Sequence, residues 1–130
     1  MPQRILIVDS SKLVRRILEQ RLDAPGRMVA TAGSSNQALA KLMRDNYDLI
    51  STALDLPDET GFAFVRAVRA LPGYARTSII VVTGNTLEAR APIAQLGISA
   101  VIGKGGGIDA LTAALRRRCD LALRPRSLAT

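Results

Sequence analysis

The sequence predicts an α/β domain in which helices cover both faces of a parallel sheet. Short apolar runs typical of strands alternate with longer segments of helical periodicity, and this alternation occurs five times. The strand-like runs are apolar throughout rather than at every second residue, as in strands that are buried on both faces. The chain has 130 residues, the usual length of one domain.

The chain begins with a predicted strand and helix. Arg4–Val8 is a continuous apolar strand that ends at Asp9. The segment from Ser11 to Leu22 has a helical period, so its apolar residues share one face. That face comprises Leu13, Val14, Ile17 and Leu18, and the opposite face comprises Arg15, Arg16 and Glu19. Pro25 and Gly26 then predict a turn.

A weaker strand, a helix and a third strand follow. The strands span Arg27–Thr31 and Asp48–Ala53. Between them, Ser34 or Ser35 can cap a helix that ends near Arg44. We expect its inward face to contain Ala38, Leu39, Leu42 and Met43.

The third helix follows a loop, Leu54–Thr60, which contains Pro57 and leads to Gly61. The helix runs to about Leu71, where a Pro-Gly pair stops it. Its predicted inward residues are Phe62, Val65 and Val68. The clearest buried strand comes next, at Ser78–Thr83.

The last two units are a helix, a short strand and a final helix. Thr86–Leu96 is the predicted fourth helix, although Pro92 in its interior weakens the assignment. Ala100–Ile102 is the fifth strand, and a glycine-rich loop around Lys104 follows it. The final helix runs from Ile108 to about Leu121, and Leu111, Leu115 and Cys119 face inward.

Composition excludes several classes of protein. A single cysteine excludes an internal disulfide, and the absence of histidine excludes histidine-based catalysis and metal ligation. No apolar run has the length of a membrane span or of a signal peptide, so we expect a cytoplasmic protein with no membrane partner. The net charge is +7, of which the last 15 residues carry +4. That charge distribution predicts a basic tail on a nearly balanced domain.

Functional residues are expected where the strands end, since parallel sheets bind ligands at the carboxyl ends of their strands. The residues at those ends are Asp9 and Ser10, Ala53, Thr83 and Lys104. They define the candidate site.

Five segments together resemble the receiver domain of bacterial two-component response regulators, over residues 3 to 119. They are Ile5–Ser11, Asp48–Ile50, Leu56–Gly61, Ile79–Gly84, and Gly97 with Val101–Lys104. The resemblance implies a flavodoxin-like (βα)5 fold, a doubly wound parallel sheet with strand order 2-1-3-4-5. It divides the chain into a receiver-like domain, 1–119, and a basic, flexible extension, 120–130. It also implies protein partners: a histidine kinase, another receiver, an output domain or a second copy of the chain.

Members of this family accept a phosphoryl group on an aspartate that lies four residues before the loop proline. That position is Ala53 in this chain. The acidic pair that holds Mg²⁺ in the family falls on Asp9 and Ser10, so one carboxylate is replaced. Thr83 and Lys104 match the residues that bind phosphoryl oxygens. Two further positions differ, since Gly105 replaces a proline and Val101 replaces an aromatic residue.

These differences predict an atypical receiver that acts as a phosphate-independent interaction or dimerisation module. Each like-charged pair at about 4 Å costs up to about 4 kcal/mol at an effective dielectric constant of about 20. Because Ala53 and Ser10 remove that repulsion, they also remove most of the reason to bind Mg²⁺. We expect Asp9 to pair with Lys104, Mg²⁺ binding to be weak or lost, no cofactor, and no enzymatic activity.

Two alternatives remain open at the level of sequence. Asp55 lies two residues beyond Ala53. It has three interpretations: a displaced phosphoacceptor, a metal ligand with Asp9, or a solvated loop acid like Asp58 and Glu59. The arginine-rich tail, beginning at Arg116–Arg118, could contact nucleic acid, but the low aromatic content argues against it. The interaction surface implied by the family comprises Glu88, Arg90, Gln95 and Val101.

Overall fold

A computed structural model describes residues 2–84 and 95–122, and in that part of the chain one sheet forms the centre of the molecule. All neighbouring strands are parallel, and their order is β2-β1-β3-β4-β5. The predicted doubly wound sheet is therefore confirmed, with strand bounds within one residue of the predicted ones. The strands are β1 (Gln3–Val8), β2 (Arg27–Ala32), β3 (Leu49–Ala53), β4 (Ser78–Thr83) and β5 (Ala100–Gly103).

Four helices are described completely, and a fifth in part. They are α1 (Lys12–Leu22), α2 (Ser35–Arg44), α3 (Gly61–Ala70) and α4 (Gly107–Ala122). The predicted helix Thr86–Leu96 lies mostly outside the described residues, but Gln95 and Leu96 are helical. Gly97 follows at φ +65°, a conformation that suits glycine at the end of a helix. Within the described residues, none of the helices is long and apolar enough to cross a membrane.

The sheet separates two apolar layers, which explains why the strands are apolar at every position. Leu6, Val8, Ile50 and Val81 lie in one layer, together with the buried residues of α2 and α3. Ile5, Ile7, Leu49, Ile80 and Val82 lie in the other, together with α1 and α4. Alternate residues of each strand thus bury opposite faces of the sheet.

The helices bury narrower stripes than their patterns predicted. Leu13 is 68% exposed on α1 and Met43 is 74% exposed on α2, so both inward assignments were wrong. Each lies at the edge of its apolar stripe, where the neighbouring elements do not reach. On α3, Phe64 is fully buried whereas the predicted Phe62 is only partly buried. Leu111, Leu115 and Cys119 of α4 are buried as predicted.

Hydroxyl groups begin three of the helices. Ser11, Ser34 and Thr60 each accept a hydrogen bond from the backbone N–H three residues later. Ser34, rather than Ser35, is therefore the cap of α2. Ser11 lies just before α1 instead of inside it.

The last helix continues through Ala122, past residue 119, where the resemblance ends the receiver-like domain. Asp120 accepts a hydrogen bond of 2.7 Å from Arg27, whose side chain is only 5% exposed. Arg27 also donates to Gln3, and Gln3 donates to the carbonyl oxygen of Cys119. Asp120 and Leu121 are thus helical, and Asp120 is bound to β2 through Arg27, while residues 123–130 lie outside the described part.

Candidate functional site

The residues of the candidate site end neighbouring strands. Val8 pairs with Thr52 of β3, Ala53 with Val82 of β4, and Thr83 with Gly103 of β5. Neighbouring strands lie about 4.8 Å apart, so the residues that follow them gather at one edge of the sheet. The prediction that Asp9, Ala53, Thr83 and Lys104 lie at the same edge is confirmed.

Asp9 is the most enclosed charged group of this edge. Its side chain is 6% exposed. One carboxylate oxygen, Oδ1, accepts the backbone N–H of Ser11 at 2.9 Å, and Oδ2 lies 3.3 Å from Nζ of Lys104. Its backbone N–H donates to the carbonyl oxygen of Ala32. The predicted ion pair with Lys104 is present, and both carboxylate oxygens already have donors.

Lys104 is held from both sides of a tight turn. Its backbone N–H donates to the carbonyl oxygen of Thr83 at 2.9 Å, and its own carbonyl accepts from Gly107 at 3.1 Å. Gly107 has φ +84°, which a residue with a side chain rarely adopts. The turn places the ammonium group over Asp9 while the lysine side chain remains 41% exposed.

Arg15 is a residue of this edge that the sequence pattern missed. The helical period placed it on the exposed face of α1, but its Nη1 donates to the carbonyl oxygen of Asp9 at 2.6 Å. The guanidinium group passes so close to Gly33 that a Cβ there would lie 2.9 Å from Nη1. Two cationic groups therefore contact Asp9, and a glycine makes room for one of them.

Ala53 ends β3 and is 3% exposed. Gly61, the first residue of α3, lies directly against it, because a Cβ on Gly61 would come within 2.4 Å of the carbonyl oxygen of Ala53. The backbone N–H of Gly61 donates to the carbonyl oxygen of Leu54 at 2.6 Å. The close approach fixes the backbone of the strand end while presenting only a methyl group there.

Ser10 and Thr83 differ in their surroundings. Ser10, the second residue after β1, is exposed. The position at which the family has its second acidic residue therefore faces solvent. Thr83 is 5% exposed at the end of β4. Both residues lie at the edge that Asp9 and Lys104 share.

The acidic residues of the loop after β3 have different environments. Asp55 is exposed and its backbone pairs with Thr60. Asp58 accepts the backbone N–H groups of Ser35 and Asn36 at 3.0 and 2.9 Å. Those two bonds lower the pKa of Asp58.

Glu59 contacts the hydroxyl group of Ser35, which is completely buried at the start of α2. Asp58 is exposed, as expected for a solvated loop acid, and Glu59 is partly buried. Both side chains also bind the first turn of α2, which the sequence pattern did not predict.

The predicted interaction surface is described only in part. Gln95 is exposed and Val101 is partly buried. Glu88 and Arg90 lie outside the described residues, as do the arginines beyond residue 122. Arg116, Arg117 and Arg118 are exposed on α4, and Arg116 donates to the carbonyl oxygen of Arg21.

Known proteins share both the sequence pattern and the fold. The response regulator receiver domain matches residues 5–116. The chain belongs to this family. Receiver domains are modules of two-component signalling.

Curated relatives include both a large sensor and a small chemotaxis protein. The virulence sensor protein BvgS of Bordetella pertussis is 34% identical over an alignment that covers 98% of this chain. The same alignment covers only 10% of the length of BvgS. A probable chemotaxis protein CheY of Rhizobium etli is 28% identical, with 86% of this chain and 88% of that protein covered. Receiver domains of this kind thus occur in proteins of very different length.

The structure of the chemotaxis response regulator CheY4 of Vibrio cholerae is similar to this receiver domain. The TM-score is 0.79 at 30% identity, and the alignment covers 90% of this chain and 98% of CheY4. A CheY-like receiver domain of Methanospirillum hungatei also gives a TM-score of 0.79, at 26% identity. The likeness therefore extends over nearly the whole fold.

Proposed function

We propose that this receiver domain acts as a protein-interaction module that does not accept a phosphoryl group. The observation that carries the proposal is the methyl group of Ala53 at the end of β3, where the family has its phosphoacceptor aspartate. A methyl group has no lone pair with which to attack phosphorus. The sheet and helices of the receiver fold are present in residues 2–84 and 95–122, and binding of a partner to their surfaces does not require the missing acceptor.

The charges at this edge favour the same reading. Asp9 contributes one negative charge, and Lys104 and Arg15 contribute two positive ones that contact it. Mg²⁺ is usually held by one or two carboxylates together with phosphate oxygens, whereas the carboxylate charge of Asp9 is already paired with the ammonium group of Lys104. Within the described residues no group of three or more metal-ligating side chains occurs. We infer that the residues around Asp9 do not form a Mg²⁺ site.

Asp55 is the acceptor that would make the domain an active receiver instead. Its exposure makes it accessible to a phosphodonor. However, in-line transfer depends on the position of the acceptor, and a shift of two residues along the loop changes that position. The proposal therefore treats Asp55 as a solvated loop acid.

Intact-mass spectrometry after incubation with acetyl phosphate and Mg²⁺ tests the proposal. The parent, Asp55→Ala and a restored variant carrying Ser10→Asp and Ala53→Asp are compared. We expect a phosphoryl adduct on the restored variant alone, because it regains the family carboxylates beside Thr83 and Lys104. An adduct on the parent that disappears in Asp55→Ala would overturn the proposal and identify a displaced acceptor.

Partners of such a module are a histidine kinase, another receiver, an output domain or a second copy of the chain. Sedimentation at several protein concentrations distinguishes the last from the others. A concentration-dependent dimer supports self-association, and a monomer at every concentration directs the search to other proteins.

A further inference from the structure

A groove lies at the opposite end of the sheet from Asp9 and Lys104. Two adjoining hollows of about 260 and 400 Å³ share Arg4, Arg44 and Asp45. The first also contains Met28, Lys41 and Tyr47, and these six residues define the α2 groove. Arg4 lies near the start of β1 and Asp9 follows its end, five residues later, so the groove and the candidate site are roughly 16 Å apart.

The groove has an apolar floor that the fold leaves uncovered. Met28 is 51% exposed on the edge strand β2. Strand alternation places it on the same face as Ala30 and Ala32, the face that α2 covers further along. Lys41 and Arg44 of α2 line the same hollow as Met28, which nevertheless remains half exposed. A thioether side chain adapts its shape to different apolar partners.

The acidic groups near the floor are already engaged. Asp45 lies 3.2 Å from the guanidinium group of Arg4. Asp48 accepts the backbone N–H of Arg4 at 2.8 Å. The charge of Asp45 is therefore paired with a cation, whereas Asp48 is bound by a neutral donor and keeps its full negative charge.

Two cations beside the floor are not compensated in this way. Lys41 and Arg44 belong to the last turn of α2, and in the described part of the chain neither has a carboxylate within ion-pair distance. Cations at the end of a helix complement its dipole, which accounts for their presence. The dipole does not account for an exposed methionine beside them.

We propose that the α2 groove binds an acidic peptide segment of a partner protein, which places an apolar side chain against Met28. Carboxylates of the segment pair with Lys41 and Arg44, and the apolar side chain removes Met28 from water. Asp48, in the second hollow, repels a uniform polyanion, so a peptide with spaced carboxylates fits better than nucleic acid. The inference rests on the proposed function, since it names the partner chemistry of the interaction module.

The methyl resonances of the methionines provide the test, because the chain contains only three methionines and Met28 is the one in the groove. The probe is a capped synthetic peptide, Glu-Leu-Glu-Glu-Leu-Phe, titrated into protein with ¹³C-methyl methionine. We expect a saturable shift of the Met28 signal. The variant with Lys41→Glu and Arg44→Glu binds at least about five-fold more weakly. Met28→Ser removes the reporter, so its binding is followed by the fluorescence anisotropy of a dye-labelled peptide, and we expect weaker binding with both cations still in place.

A matched control carries Arg66→Glu and Arg117→Glu, two exposed positions on α3 and α4. It has the same net charge as the groove variant, and we expect it to bind like the parent. Equal weakening in the control, or an unmoved Met28 signal, overturns the assignment. A short DNA duplex that displaces the peptide from Met28 overturns it in favour of nucleic acid. None of these results depends on phosphoryl transfer, so the mass measurement stands or fails separately.

Discussion

At the scale of single residues, Asp9 is a nearly buried carboxylate residue that three donors contact. The backbone N–H of Ser11 and the ammonium group of Lys104 bind its two oxygens, and Arg15 binds its carbonyl. A buried carboxylate without such partners is costly. The pair therefore has a structural consequence that is independent of any signalling role.

We expect Lys104→Met to destabilise the domain. Methionine keeps much of the length of the side chain but leaves the Asp9 carboxylate without its ammonium partner. Since Lys104 is 41% exposed, solvent screens part of the interaction and the loss is about 1 to 2 kcal/mol. Urea denaturation measures it. In the double variant Asp9→Asn and Lys104→Met most of the loss is recovered, whereas equal stabilities of Lys104→Met and the exposed control Lys12→Met would contradict the interpretation.

The sequence could predict the Asp9–Lys104 pair but not Arg15. The pair was expected from the family resemblance, which places Asp9 and Lys104 in one site at the carboxyl ends of their strands. Arg15 reaches Asp9 through a long side chain that bends back over Gly33, and a helical period describes only where its Cα points. The contacts of Asp58 could not be predicted from the local pattern either, because its partners are backbone groups of a helix that begins more than 20 residues earlier.

At the scale of elements, α2 is fixed at both ends by the segments that follow it. Asp58 and the cap Ser34 bind the N–H groups of its first turn. At the other end, the hydroxyl group of Tyr74 donates to the carbonyl oxygens of Leu42 and Asp45. Burial of that hydroxyl raises the pKa of Tyr74. The position of α2, and with it one wall of the α2 groove, depends on these contacts.

The carboxylate of Asp58, which binds the first turn of α2, predicts that the stability of the domain depends on pH in the acid range. The folded protein lowers the pKa of Asp58, so it binds the proton less tightly than the unfolded chain does. The stabilisation is present above the unfolded pKa of about 4 and is lost as the pH falls through the lower folded value. Thermal unfolding at several pH values between about 6 and 3 measures the loss.

The matched comparison is between two loop carboxylates. We expect Asp58→Asn to make stability less dependent on pH between about 6 and 3, because the amide group does not titrate there. Asp55→Asn, an exposed acid of the same loop, retains the pH dependence of the parent. Identical curves for the two variants would show that Asp58 does not act through its charge.

Helical periodicity predicted where the helices lie better than how much of each they bury. The apolar stripe of α1 includes Leu13 and that of α2 includes Met43, yet both side chains are exposed. A helix buries only what its neighbours cover, and the neighbours are not visible in the local pattern. Phe64 was missed because Phe62 also fits a three-residue spacing with Val65 and Val68.

A single arginine connects elements that are distant in sequence. Arg69 of α3 donates to the carbonyl oxygens of Leu96 and Gly97, and also to those of Tyr74 and Thr77. Burial lowers the pKa of this guanidinium group, which nevertheless remains charged. Its bonds attach the end of the helical segment before β5 to α3.

At the scale of the whole molecule, Cys119 reports the integrity of the fold. It is completely buried between α4 and the sheet, and burial raises the pKa of its thiol to about 11. The thiolate is the reactive form, so the folded protein resists thiol reagents at neutral pH. Labelling therefore requires opening of the domain.

We expect the labelling rate of the single thiol to increase in proportion to the unfolded fraction as urea is added. Reaction with a disulfide reagent such as DTNB, followed at pH 8 beside the unfolded protein, measures the ratio of the two rates. Lys104→Met should label faster than the parent by the factor that its loss of stability implies. Rapid labelling of the parent without denaturant would contradict the buried position of the thiol.

The strand order also determines what a growing chain exposes during synthesis. The two partners of β1 are complete once residue 53 has left the ribosome, so β2, β1 and β3 can pair before the second half exists. The outer edge of β3, five consecutive buried residues, then has no partner until Ser78–Thr83 emerges. An unpaired apolar edge is a site of aggregation. The interval between residues 53 and 83 is thus when the nascent protein is most in need of a chaperone.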